Sequence, residues 1–170
     1  MIYENLVTQN KAAFLAKVQE IAAKLKIQAD WLMIVMKMES GLNHQAVNPT
    51  GGATGLIQFM PATAQGLGTS TAALKSMTNV QQLEYVWKYF APYSGRIKGV
   101  TDLYTVTFFP VALGQPDNYV LQTSTKSAGL IASQNPIFDT NKDKSITIGE
   151  FKNYVVSKLP TEALAYLKKN

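Results

Sequence analysis

Cysteine is absent from the 170 residues. That excludes a disulfide framework, a thiolate metal site and a cysteine nucleophile. Histidine occurs once, as His44; a lone loop histidine reads first as a solvated side chain and second as a substrate contact. No apolar run approaches the roughly 20 residues needed to cross a bilayer. The N-terminal stretch "MIYENLVTQNKAAF" carries an early Glu4 and no apolar core, so it does not read as a secretory signal. Acidic residues are few, and none lies between Glu39 and Glu84.

The composition, 46% apolar and 16% charged, is that of a globular chain with enough length for a hydrophobic core, and it reads as one domain over 1–170. Sixteen basic residues against 11 acidic give a net charge of +5. A charge of that size suits a polyanionic partner such as an anionic cell wall, and equally suits plain solubility. Basic residues do not cluster with interleaved aromatics, which argues against nucleic acid.

Helical periodicity dominates. Phe14, Val18, Ile21 and Leu25 recur at spacings of 4, 3 and 4 within 10–26. A second helix spans about 30–40, with Asp30 at its dipole-favoured start, and is apolar on nearly every side, as a central buried helix is. Residues 41–58, rich in Gly and Asn, read as loop with short extended pieces. Pro61 opens a short helix over 61–66. "TNVQ" at 78–81 has the capping-box pattern and opens a helix bearing Val80, Leu83, Trp87 and Phe90. Further helices are expected over 101–109, stopped by Pro110, over 124–134, and from the acidic loop at 139–150 to about Lys168. The fold class is therefore mainly α, with little or no β-sheet.

Within the second helix Leu32, Val35 and Met36 lie seven, four and three residues before Glu39, on its face. A carboxylate sharing a core face is poorly solvated, which raises its pKa. A carboxylic acid that keeps its proton near neutral pH is what glycosidic cleavage asks of a general acid. The bland alternative is that Glu39 only marks the exposed end of a helix.

The stretch that follows, "MESGLNHQAVNPTGGATGLIQFMP" at 38–61, resembles the signature of the soluble lytic transglycosylase and goose-type lysozyme superfamily. The likeness rests on Glu39-Ser40 ending a buried helix and on "GGATGLIQFMP" at 51–61, with "TNVQQ" at 78–82 similar to the family's downstream helix start. It implies a lysozyme-like fold with a substrate groove, peptidoglycan glycan strands as partner, and Glu39 as catalytic acid/base. It further implies that Ser40 orients the site and that Gly55, Leu56, Ile57, Gln58 and Phe59 line the groove, with core packing an equal role for Phe59. The family's usual Tyr-Asn-x-Gly run is missing. The corresponding region is "TDLYTVTFFPVALGQP" at 101–116, where Tyr104 is the nearest tyrosine and Phe109 a candidate for the same place without a hydroxyl.

Ordinary glycosidases use two carboxylates. Goose-type hydrolases place aspartates shortly after the glutamate; this chain has Asn43, His44, Asn48 and Thr54 there. One carboxylate suits a lytic transglycosylase, in which the C6 hydroxyl of the muramyl sugar closes a 1,6-anhydro ring. Lysozyme-type hydrolysis stands as the alternative, with Asp102 a distant candidate for the second carboxylate.

"DTNKDKSITIGE" at 139–150 puts Asp139, Asn141, Asp143, Ser145, Thr147 and Glu150 at positions 1, 3, 5, 7, 9 and 12, the ligand spacing of an EF-hand. Ile146, at position 8, should pack inward. Lys144 stands where glycine usually allows a positive φ. A structural calcium is expected, in competition with an ion-free turn of the same shape; the chemistry itself requires no cofactor. Some lytic transglycosylases carry such a loop, which the resemblance turns into a stabilising role.

Three classes remain in view: a peptidoglycan-cleaving enzyme, a non-catalytic wall-binding module of the same fold, and a calcium-binding interaction protein. Intact Glu39-Ser40 and "GLIQFMP" favour the first. An enzyme of the bacterial cell wall without a signal peptide needs another carrier, so a phage lysin or tail-associated enzyme comes first and a secretion-system effector second.

Overall fold

The computed structural model describes residues 1–167. Eight α-helices follow one another: α1 Lys11–Leu25, α2 Ala29–Ser40, α3 Pro61–Gly66, α4 Thr71–Ser76, α5 Asn79–Phe90, α6 Val100–Phe108, α7 Ala128–Gln134 and α8 Ile148–Lys158. Among the described residues there is no β-sheet; Val47–Thr54 and Thr54–Phe59 form isolated antiparallel bridges in the loop after α2, and Val120 pairs with Thr147.

The centre is α2. Trp31 through Met36 are six consecutive buried residues, walled by α1, α6 and the turn at Thr161–Tyr166, with α5 packed on α1. α1 contributes the expected stripe of Phe14, Val18, Ile21 and Leu25. The Trp31 indole N–H donates to the Tyr166 carbonyl at 2.6 Å, tying the C-terminal turn to the middle of the fold. Gly41, at φ +64, ends α2 and lets the chain leave directly after Glu39 and Ser40. The capping box at Thr78 and Gln81 is fully formed and starts α5.

The core falls into two clusters. The larger gathers α1, α2, α5 and α6; the smaller holds Ala112, Leu121, Ile131, Ile146, Ile148, Phe151 and Val155, with Phe108 and Phe138 packed against it. Tyr104 touches both.

Several boundaries differ from the sequence reading. α4 is new: its only local signal is Ser70, whose hydroxyl accepts from the Ala73 N–H. The helix expected over 124–134 begins at Ala128, where Ser127 caps it. The last helix stops at Lys158 because Pro160 cannot continue it, and a 3-10 turn, Thr161–Tyr166, follows. Lys168, the expected limit, lies outside the described residues.

Candidate active site

Glu39 sits on the last turn of α2, half-buried, at the wall of a cavity of about 410 Å³. The cavity is also lined by Tyr104, Thr107 and Phe108 on α6 and by Phe151, Tyr154, Val155 and Lys158 on α8. Ile57 and Gln58 close the side toward the loop after α2. The cavity therefore opens along the seam between the two clusters. A smaller cavity, about 70 Å³, shares Ile57, Gln58 and Thr107 and adds Phe59, Met60, Thr63 and Tyr89.

Glu39 is the one carboxylate among the residues lining its cavity. No group among the described residues hydrogen-bonds it. Burial alone pushes its pKa above the ordinary carboxylate value, because the charged form loses water and gains no partner. The two nearest phenols answer in the same sense. Burial, with the Glu39 charge adding, raises Tyr104; burial, then Tyr93 and Glu39, pushes Tyr89 up to about 12. Both phenols thus keep their protons across the physiological range and can donate hydrogen bonds.

Ser40 does not face the cavity. Its hydroxyl lies 3.0 Å from both the Met36 and the Leu56 carbonyls and shares its one proton between them, pinning the end of α2 to the loop. Gly55 and Leu56 are buried beneath that loop, and the side chain of Leu56 belongs to the main core. Phe59 is 2% exposed and packs edge-on to Tyr89 with ring centroids 6.2 Å apart, so it lines the smaller cavity rather than that of Glu39. Gln58 takes a left-handed φ of +53, and its amide donates to Gly55 and Ala46 carbonyls at 3.1 and 3.3 Å. Its Oε1 accepts no hydrogen bond among the described residues.

The anchor of this loop is a residue that sequence reasoning missed. Gln82, fully buried on α5, accepts from the Leu56 N–H at 2.6 Å and donates to the carbonyls of His44 and Leu74, each at 2.9 Å. It also explains Gly55: with φ +86, a Cβ there would stand 2.7 Å from Gln82 Cδ. A signal existed, since Gln82, Val86 and Phe90 fall on one face of the same amphipathic helix. His44 is 9% exposed rather than solvated, with its carbonyl held by Gln82. Asp102 lies away from Glu39; its carboxylate accepts from the Lys98 N–H at 2.8 Å and stands 3.8 Å from Lys152. Phe108, not Phe109, reaches the cavity.

The acidic loop is a turn closed by its own hydrogen bonds. Asp139 accepts from the N–H groups of Asp143 and Lys144 at 3.2 and 3.1 Å, and Lys144 takes φ +70 in the place of glycine. Ile146 is fully buried, and the Leu121 N–H donates to its carbonyl at 2.8 Å. Asn141 and Ser145 bond Asp143, and hydrogen bonds led by the Ser145 hydroxyl hold that carboxyl below its ordinary pKa. Partial burial pushes Glu150 up, but the N–H and hydroxyl of Thr147, the Asn141 N–H and the Thr140 hydroxyl outweigh it, so Glu150 also sits low. The oxygen-only donor set and the turn suit a hard cation. The carboxylates, however, are turned onto the loop's own amides and hydroxyls, and no three Asp, Glu or His side chains among the described residues gather as a metal-ligand group. The loop bears on the cavity in any case, because Phe138 and Phe151, its immediate neighbours on either side, both line it.

The family model of the transglycosylase SLT domain matches residues 17–93. This stretch holds α2, Glu39, the loop through Phe59 and Gln82. No curated protein matches the chain.

Proposed function

We propose that the chain, whose residues 17–93 match the family model of the transglycosylase SLT domain, is a lytic transglycosylase acting on peptidoglycan with Glu39 as its single acid/base. The observation that carries this reading is the isolation of Glu39: no second carboxylate shares its cavity, and nothing among the described residues hydrogen-bonds it. A hydrolase of the usual kind would need a partner carboxylate to activate water or attack the sugar.

The protonated Glu39 gives its proton to the oxygen linking a muramyl sugar to the next glucosaminyl sugar, and the C1–O bond breaks. The N-acetyl group of the muramyl sugar shields the cationic carbon. Glu39, now a carboxylate, takes the proton of the C6 hydroxyl, whose oxygen closes on C1. The product is a 1,6-anhydromuramyl end; no water is consumed and Glu39 finishes protonated. Tyr104 and Gln58, which line the same cavity, are the residues we assign to hold hydroxyl or acetamido groups of the sugars.

Digestion of purified peptidoglycan followed by mass spectrometry tests the reading. Anhydromuramyl ends, lighter by one water than reducing ends, are expected. Reducing ends would assign hydrolysis instead, and full activity in Glu39→Gln would remove the glutamate from the chemistry.

Two further readings belong here. A calcium ion held by Asp139, Asn141, Asp143, Ser145, Thr147 and Glu150 would stiffen the loop between Phe138 and Phe151; the chemistry does not pass through it. Action at the bacterial wall, as part of a phage particle, a lysis system or a secreted set, fits an enzyme of this class. No helix among the described residues is long and apolar enough to cross a membrane.

A further inference from the structure

One face of α8 looks at Glu39. Phe151, Tyr154, Val155 and Lys158 follow at spacings of 3, 1 and 3, the stripe of a single helical face, and all four line the cavity. Phe108, Phe138, Phe151 and Tyr154 pack ring against ring with centroids 4.7 to 5.0 Å apart, so this wall is stiff as well as apolar. At its outer end Lys158 holds its ammonium 5.2 Å from the Tyr154 ring centre. It makes no salt bridge among the described residues, and it is the one cation lining the cavity. Its place in the last turn of α8 suits a positive charge.

We propose that this face of α8 is a subsite for the acidic peptide stem carried by the muramyl sugar, with Lys158 receiving a stem carboxylate. The inference rests on the peptidoglycan reading above and names the part of the substrate that reading leaves open. The cavity brings together the chemistries that the substrate presents. At Glu39 the glycosidic oxygen needs a proton. The lactyl and first alanyl residues offer methyl groups, which suit Phe151, Tyr154 and Val155. The first free carboxylate of the stem meets the single lysine of the same lining. A bare glycan strand has nothing charged to offer that position.

Binding of a muramyl dipeptide ending in glutamate, compared with the same fragment carrying both carboxyls as amides, tests this without any bond to cut. Calorimetric or NMR titration of the full chain should show the acid form bound about three- to fivefold more tightly at low salt, the size expected of an exposed ion pair. The advantage should shrink as ionic strength rises, vanish in Lys158→Gln and persist in Lys158→Arg. Equal affinity for acid and diamide, or an advantage that survives in Lys158→Gln, overturns the subsite. A chain that discriminates the fragments yet releases nothing from peptidoglycan keeps the subsite and loses the catalytic reading.

Discussion

A carboxyl that is half-buried, faces a cavity and accepts no hydrogen bond among the described residues is costly to ionise, and Glu39 is such a group. Its folded pKa lies above its unfolded one, so the folded state is at no disadvantage below the ordinary value of 4.5 and loses stability as pH rises from there through the raised value. Glu39→Gln removes that loss. Its melting temperature should match the wild type in acid and exceed it increasingly across that window, which calorimetry at several pH values would register. The same variant should lose about 10²- to 10⁴-fold in turnover, the usual contribution of a positioned acid. In the wild type, kcat/KM should fall as pH climbs through the raised Glu39 value, since the acid form starts the reaction. The place of Glu39 on an apolar helix face was readable from spacing, while its role as an acid was expected from the family resemblance of 38–61. Lys158 was not, since nothing local connects a terminal lysine on α8 with an acid more than a hundred residues earlier.

At the scale of elements, the loop between α2 and α3 matters because Gln58 and Ile57 ride on it, and α5 holds it in place. Gln82→Leu keeps the volume but strands the Leu56 N–H and the carbonyls of His44 and Leu74 in a dry interior. Denaturant unfolding should report a loss of about 3 kcal/mol, since each unmet buried polar group costs about 1–3 kcal/mol. Gly55→Ala should be destabilised as well, by about 1–3 kcal/mol for its left-handed backbone alone. The helices with long apolar stripes, α1, α2 and α5, were legible from periodicity and caps. α4 was not, being six residues without a repeating face, and α8, expected to run to about Lys168, ends at Lys158 ahead of Pro160. Gln82 escaped notice as a polar residue on an apolar stripe, where burial depends on the partners that the fold brings.

Taken whole, the molecule places its cavity where two clusters meet, with Phe138 and Phe151 joining the acidic loop to the cavity wall. If the loop binds calcium only when folded, the ion must raise the melting temperature, equivalent to about 2.7 kcal/mol at one hundred times its Kd. No shift at millimolar calcium would leave an ion-free turn held by its own hydrogen bonds. The mainly helical architecture was legible from composition and periodicity, whereas the seam was not, because it depends on which distant faces meet. The acid and its supporting loop lie within 17–93, while Tyr104, Phe108, Phe138 and the α8 face come from beyond it. The proposed proton donor and the proposed stem subsite thus occupy separate stretches of chain. On that reading, substitutions on α8 alter which peptide stems are accepted while the residue that does the chemistry stays untouched.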